Sequence, residues 1–142
     1  MSANRHADRL LDIYRRAVAT RDVDAFMSLY DPDVRVFDTW GTWSYEGAPA
    51  WRGMVEGWFG SLGNETVDVT FDDVRVASGD DFMLVTLVAR YAAVEDGNEK
   101  HALQNRFTWA CVLDGRDWKI IHEHTSVPVG FEDMKGILER PV

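Results

Sequence analysis

Tyr14 and Asp38 are the two residues of this chain best suited to move a proton. Tyr14 lies in the first turns of a helical pattern, and Asp38 ends the short apolar run Val34-Arg35-Val36-Phe37-Asp38. An aromatic loop follows, Thr39-Trp40-Gly41-Thr42-Trp43-Ser44-Tyr45-Glu46-Gly47. A carboxylate among so many rings is poorly solvated, which raises its pKa and makes it a stronger base than it would be in water. On this reading Asp38 takes a proton from a carbon next to a carbonyl, and Tyr14 holds the resulting enolate oxygen. The competing reading has Asp38 as a strand-end aspartate accepting backbone N–H bonds from the loop, and Tyr14 as a core tyrosine.

Both residues need elements to hold them. From Arg5 to Thr20 the residues Leu10, Leu11, Ile13, Tyr14, Ala17 and Val18 recur at helical spacing, which predicts a first helix with Tyr14 on its buried stripe. Asp22 is placed to cap a second helix through Phe26, Met27, Leu29 and Tyr30, stopped by Asp31-Pro32. Val34 to Asp38 reads as a strand. A third helix runs from roughly Ala48 to Leu62, with Trp51, Met54, Val55, Trp58 and Phe59 on one face. Long strands follow at Glu65–Val76, Phe82–Val94, His101–Leu113 and Trp118–Val127, joined by turn sequences such as Glu95-Asp96-Gly97-Asn98, so neighbours are antiparallel. The tail Phe131–Leu138 is amphipathic enough for a last short helix.

The chain of 142 residues forms one domain, residues 1–142, of the α+β class, with three helices covering one face of a mainly antiparallel sheet. Six Trp, seven Phe and four Tyr exceed what such a core needs, so some line a cavity or an interface. A net charge of −9 repels nucleic acid and anionic membrane, which excludes both as expected partners. Cys111 is the single cysteine, inside an apolar run, and no stretch has signal-peptide or membrane-span character, so a cytoplasmic location is expected.

If the Asp114–Asp117 turn sets the register of the last hairpin, Arg106 faces Thr125 and Thr108 faces Glu123, all on one polar face. The opposite face then carries Phe107, Trp109, Cys111, Ile120, His122 and His124. Arg106 would bind a carboxylate or enolate oxygen, or pair internally with Glu123. His122 and His124, two apart on a strand, could be two metal ligands, but no third is evident, and no phosphate-cradling loop, dinucleotide fingerprint or nucleophile elbow is present. Neither metal nor cofactor is therefore expected.

Tyr14, Arg21-Asp22-Val23-Asp24, Leu29-Tyr30-Asp31-Pro32-Asp33-Val34, Asp38, Gly47 and the ending Trp118-Lys119-Ile120-Ile121-His122-Glu123-His124-Thr125-Ser126 together resemble the nuclear-transport-factor-2-like superfamily. This is the cone-shaped, cystatin-like fold shared by ketosteroid isomerases, SnoaL-type polyketide cyclases, scytalone dehydratase and the association domain of the calcium/calmodulin-dependent kinase. The resemblance implies three N-terminal helices on a curved sheet. It matches Tyr14 and Asp38 to the catalytic tyrosine and proton-shuttling aspartate of ketosteroid isomerases. The run Ala102–Ala110 lacks the second, protonated aspartate of that family. In the kinase association domains the arginine matching Arg106 points into the pocket, which makes the polar hairpin face the cavity and the aromatic face a homodimer contact. The expected function is cofactor-independent proton transfer (isomerase, cyclase or dehydratase) on a small, apolar carbonyl compound, with a non-catalytic binding or oligomerisation domain as the alternative. Expected binding residues are Tyr30, Trp40, Trp58, Phe82, Arg106, Thr108, Glu123 and His124.

Overall fold

The computed structural model describes residues 2–141. Helix α1, Ala3–Thr20, is capped by Ser2, whose hydroxyl accepts the Arg5 N–H, and it ends where Arg21 turns left-handed. Its buried stripe is Ala7, Leu10, Leu11, Tyr14, Ala17 and Val18, as the periodicity predicts. Asp22 caps α2, Val23–Met27, through the Ala25 N–H at 3.0 Å. This helix is shorter than expected because Tyr30 already belongs to β1, Tyr30–Phe37, where it pairs with Ile120. Pro32 is tolerated there because the β1 ladder is interrupted between Tyr30 and Arg35. A two-residue strand, β2 (Tyr45–Glu46), and α3 (Ala48–Gly60) follow, so the third helix comes after two strands and not directly after its fellows.

The remaining strands are β3 (Thr66–Ser78), β4 (Phe82–Glu95), β5 (Asn98–Asp114) and β6 (Asp117–Ser126), and the sheet order is β2-β1-β6-β5-β4-β3. Every pairing is antiparallel except β1 with β6, which makes the sheet mixed. The helices pack on one face of it. Their core joins Phe26, Phe59, Val55 and the α1 stripe to Val67, Val69, Met83, Val85, Leu87, Phe107, Trp109 and Ile120. No helix among the described residues is long and apolar enough to cross a membrane.

One irregularity in the last hairpin reverses an expectation. From the turn, Cys111 pairs with Ile120, but beyond a bulge Ala110 pairs with His122, Trp109 with Glu123 and Phe107 with Thr125. The extra residue is Ile121. A one-residue slip moves every later side chain to the other face. Glu123 and Thr125 therefore join Phe107, Trp109, Cys111 and Ile120 on the buried face, while Arg106, Thr108, His122 and His124 share the outer face. The aromatic residues Phe107 and Trp109 lie under the helices and are not available to a second subunit.

The tail forms no helix. Because β6 stops opposite Arg106, the earlier part of β5 lacks a neighbour on that side, and the tail supplies one. The Gln104 N–H donates to the Leu138 carbonyl at 2.8 Å, and the Arg140 N–H donates to Gln104 Oε1 at 2.7 Å.

Candidate active site

Between the helices and the sheet lies a cavity of about 200 Å³, larger than the ~150 Å³ that holds a benzene ring and smaller than a typical drug site. It is lined by Tyr14 from α1, by Asp38 and Trp40 just past β1, and by Trp51, Met54 and Trp58 from α3. Tyr91, Asn105, Glu123 and Thr125 project into it from the sheet. Asp38 points inward because it continues the parity of Val34 and Val36, both fully buried on β1.

Three polar groups give the cavity its chemistry. Thr125 donates to Asp38 Oδ1 at 3.0 Å while accepting from the Thr39 N–H at 2.8 Å and the Thr39 hydroxyl at 2.9 Å. Burial raises the Asp38 pKa above its ordinary value, against the opposing pull of bonds from Thr125 and the Trp40 and Thr39 backbone. The Tyr14 and Tyr91 hydroxyls are 2.8 Å apart. One donates to the other, which leaves a single O–H free to donate elsewhere. Burial holds both phenols in the neutral, donating form. The Tyr14 ring is fixed by neighbouring rings, Phe26 at 4.9 Å, Phe107 at 5.7 Å and Trp109 at 5.9 Å between centroids.

Glu123 is the third group, 1% exposed. Its Oε1 accepts from the Tyr30 hydroxyl at 2.6 Å and from the Trp109 indole N–H at 2.9 Å. Burial, with a smaller push from the charge of Asp38, raises its pKa to about 7, even though the two hydrogen bonds favour the carboxylate.

The expected catalytic residues Tyr14 and Asp38 and, of the expected binding residues, Trp40, Trp58 and Glu123 are brought together in this cavity. Tyr30 sits one layer behind, holding Glu123. Arg106 and Thr108 are on the outer face because they alternate with the buried Phe107 and Trp109, His124 is there because of the bulge at Ile121, and Arg106 donates to Ser126 Oγ at 3.1 Å. His124 instead lies against Phe37, 5.4 Å between ring centroids, and His122 Nδ1 is 2.7 Å from the Arg35 carbonyl oxygen. Phe82 is at the far end of β4, out of phase with the inward Met83, Val85 and Leu87. Arg106→Ala is accordingly expected to leave ligand affinity within twofold and stability within ~0.5 kcal/mol. A tenfold loss of affinity in a titration would place the guanidinium in the cavity after all.

Tyr91 and Asn105 belong to the site without having been expected in it. Period-two counting back from Trp109 through Phe107 would have found Asn105, an amide at an inward position of an apolar strand face.

A SnoaL-like fold enclosing an acidic, aromatic cavity is the class these features define. Residues 8–130 match the family model of the SnoaL-like domain, and the chain belongs to that family. No curated protein matches it. Among solved structures it is similar to an NTF2-like protein of unknown function from Pseudomonas putida, at 22% identity and TM-score 0.86, over 100% of this chain and 99% of that one. An NTF2-like protein with a cystatin-like fold from Novosphingobium aromaticivorans superposes at TM-score 0.77 and 13% identity, over 92% and 85% of the two chains. Aln2 from a Streptomyces species does so at TM-score 0.78 and 12% identity, over 89% and 92%. At these identities the likeness establishes the fold alone.

Proposed function

We propose that the chain is a cofactor-independent enzyme that shifts a proton on a small carbonyl compound. One observation carries this reading: a carboxylate whose pKa is raised by burial and a hydroxyl pair with one uncommitted proton line the same aromatic cavity. In the step envisaged, Asp38 takes the proton from the carbon next to the carbonyl. The C–H electron pair forms the new carbon–carbon double bond, and the carbonyl π pair moves onto the oxygen, which the free hydroxyl of Tyr14 or Tyr91 holds as an enolate. The protonated carboxyl of Asp38 then returns the proton at the same or a conjugated carbon, which regenerates the base. Trp40 and Trp58 add apolar wall to the site, and a cavity of about 200 Å³ favours one- or two-ring ligands.

A proton-transfer enzyme of this kind is expected to catalyse deuterium uptake at the α-carbon of 2-indanone in D2O, read by NMR. Asp38→Asn is expected to slow that uptake by ~10²–10⁴-fold while affinity stays within a few-fold. Equal uptake in both proteins would leave the cavity as a binding site without chemistry. Association of two copies through the outer sheet face, where Phe82 and Leu84 are exposed, belongs to the same proposal.

A further inference from the structure

We infer that the cavity's ligand carries a positive charge: a small ammonium compound with an aromatic or aliphatic body. The inference rests on the preceding reading only in taking this cavity as the ligand site. Three carboxylates line the cavity, Asp38, Glu65 and Glu123, and no lysine or arginine is among the lining residues. The arginines nearby along the chain are engaged elsewhere. Arg21 donates to the Gly63 and Glu65 carbonyls, Arg90 pairs with Glu99 at 2.9 Å, and Arg106 lies on the outer face. The one basic side chain of the lining is the exposed His101.

The walls are also of a kind that attracts cations. Tyr14, Trp40, Trp51, Trp58 and Tyr91 supply five aromatic rings, whose faces carry the negative end of the ring quadrupole. Two acceptors there lack donors. Glu123 lines the cavity, yet both of its hydrogen bonds fall on Oε1, and Oε2 receives none from any described residue. Asn105, 6% exposed and also in the lining, has a buried Oδ1 without a partner. A buried carboxylate without a counter-ion is costly, and an ammonium group beside it relieves that cost while donating N–H bonds to the free acceptors. An anionic ligand would add repulsion to the same cost, and a neutral one would leave it in place. Joined to the proposed chemistry, the charge requirement points to an amine-bearing carbonyl compound.

Benzylammonium, benzyl alcohol and benzoate share a ring and a size and differ in charge, so isothermal titration of the three at pH 7.5 isolates the effect. Benzylammonium is expected to bind about thirtyfold more tightly than benzyl alcohol, with benzoate weakest. Glu123→Gln, checked for a cooperative melt, is expected to narrow the benzylammonium preference to within about threefold. Benzyl alcohol or benzoate binding as tightly as benzylammonium overturns the inference, as does the absence of saturable benzylammonium binding. Either result leaves the proton-transfer reading to be judged separately by deuterium uptake.

Discussion

Glu123→Gln is expected to melt well above the parent protein at pH 8 and close to it at pH 5. The carboxyl titrates near 4.5 in an open chain and at about 7 in the fold, so the folded state holds its proton more tightly than the unfolded one. Below about pH 4.5 both states are protonated and the group costs nothing. As pH rises through the interval, the unfolded state ionises first and stability falls, and above 7 the full cost is present. The gap between 4.5 and about 7, at ~1.4 kcal/mol per pH unit, comes to about 3 kcal/mol. Glutamine keeps an oxygen for the Tyr30 and Trp109 donors and removes the ionisation, so its advantage appears only on the alkaline side. The gain corresponds to a rise in Tm on the order of 10 °C, measurable by calorimetry at the two pH values. An equal change at both would mean that Glu123 is not the group that limits alkaline stability.

Inserting an alanine between Ile121 and His122 is expected to cost a large share of the total stability and to abolish ligand binding. Ile121 is the one extra residue of the bulge and sets the parity beyond it, so a second extra residue brings Glu123 opposite Thr108 and Thr125 opposite Arg106, on the outer face. The Tyr30 hydroxyl and the Trp109 indole then lose their buried acceptor, at ~1–3 kcal/mol each, and Asp38 loses the Thr125 hydroxyl. Set against a typical domain stability of ~5–15 kcal/mol, that loss brings the protein near its unfolding threshold. An insertion variant with an unchanged Tm and unchanged affinity for benzylammonium would show that the residue count at the bulge does not govern the face of Glu123. Ile121→Ala, which keeps the residue count, is expected to bind as the parent does.

The same bulge marks where the amino-acid sequence stops being readable. The stripes of α1 and α3 and the turn residues between β3, β4, β5 and β6 are local signals, and they place Tyr14, Trp58 and the sheet correctly. Asp38 stands out as the acid that closes the apolar run Val34–Phe37 ahead of an aromatic loop. A bulge leaves no such signal, since Ile120-Ile121 fits a regular strand as well as an irregular one; alternation counted from the Asp114–Asp117 turn groups Glu123 and Thr125 with Arg106, and the resemblance to the kinase association domains then turns that face inward. Tyr30 falls at helical spacing from Phe26 and Met27 although tyrosine favours strands, and its pairing with Ile120, ninety positions away, decides the matter. The tail has helical amphipathicity but is claimed by the open edge of β5, a tertiary demand that periodicity does not report.

The parallel pairing of β1 with β6 also sets when the site comes into being. Thr125 holds Asp38 across 87 positions and Tyr30 reaches Glu123 across 93, so both contacts close very long loops and their entropy is repaid only late in folding. During synthesis the first helix and the meander can form as they emerge, but Asp38 lacks its Thr125 partner until residue 125 leaves the ribosome. Until then the nascent chain exposes the inward edge of β1, with Val34 and Val36 beside it, as an unfilled slot in the sheet. The strand that completes the binding chamber is thus also the one that makes the newborn chain safe from sticking to its neighbours.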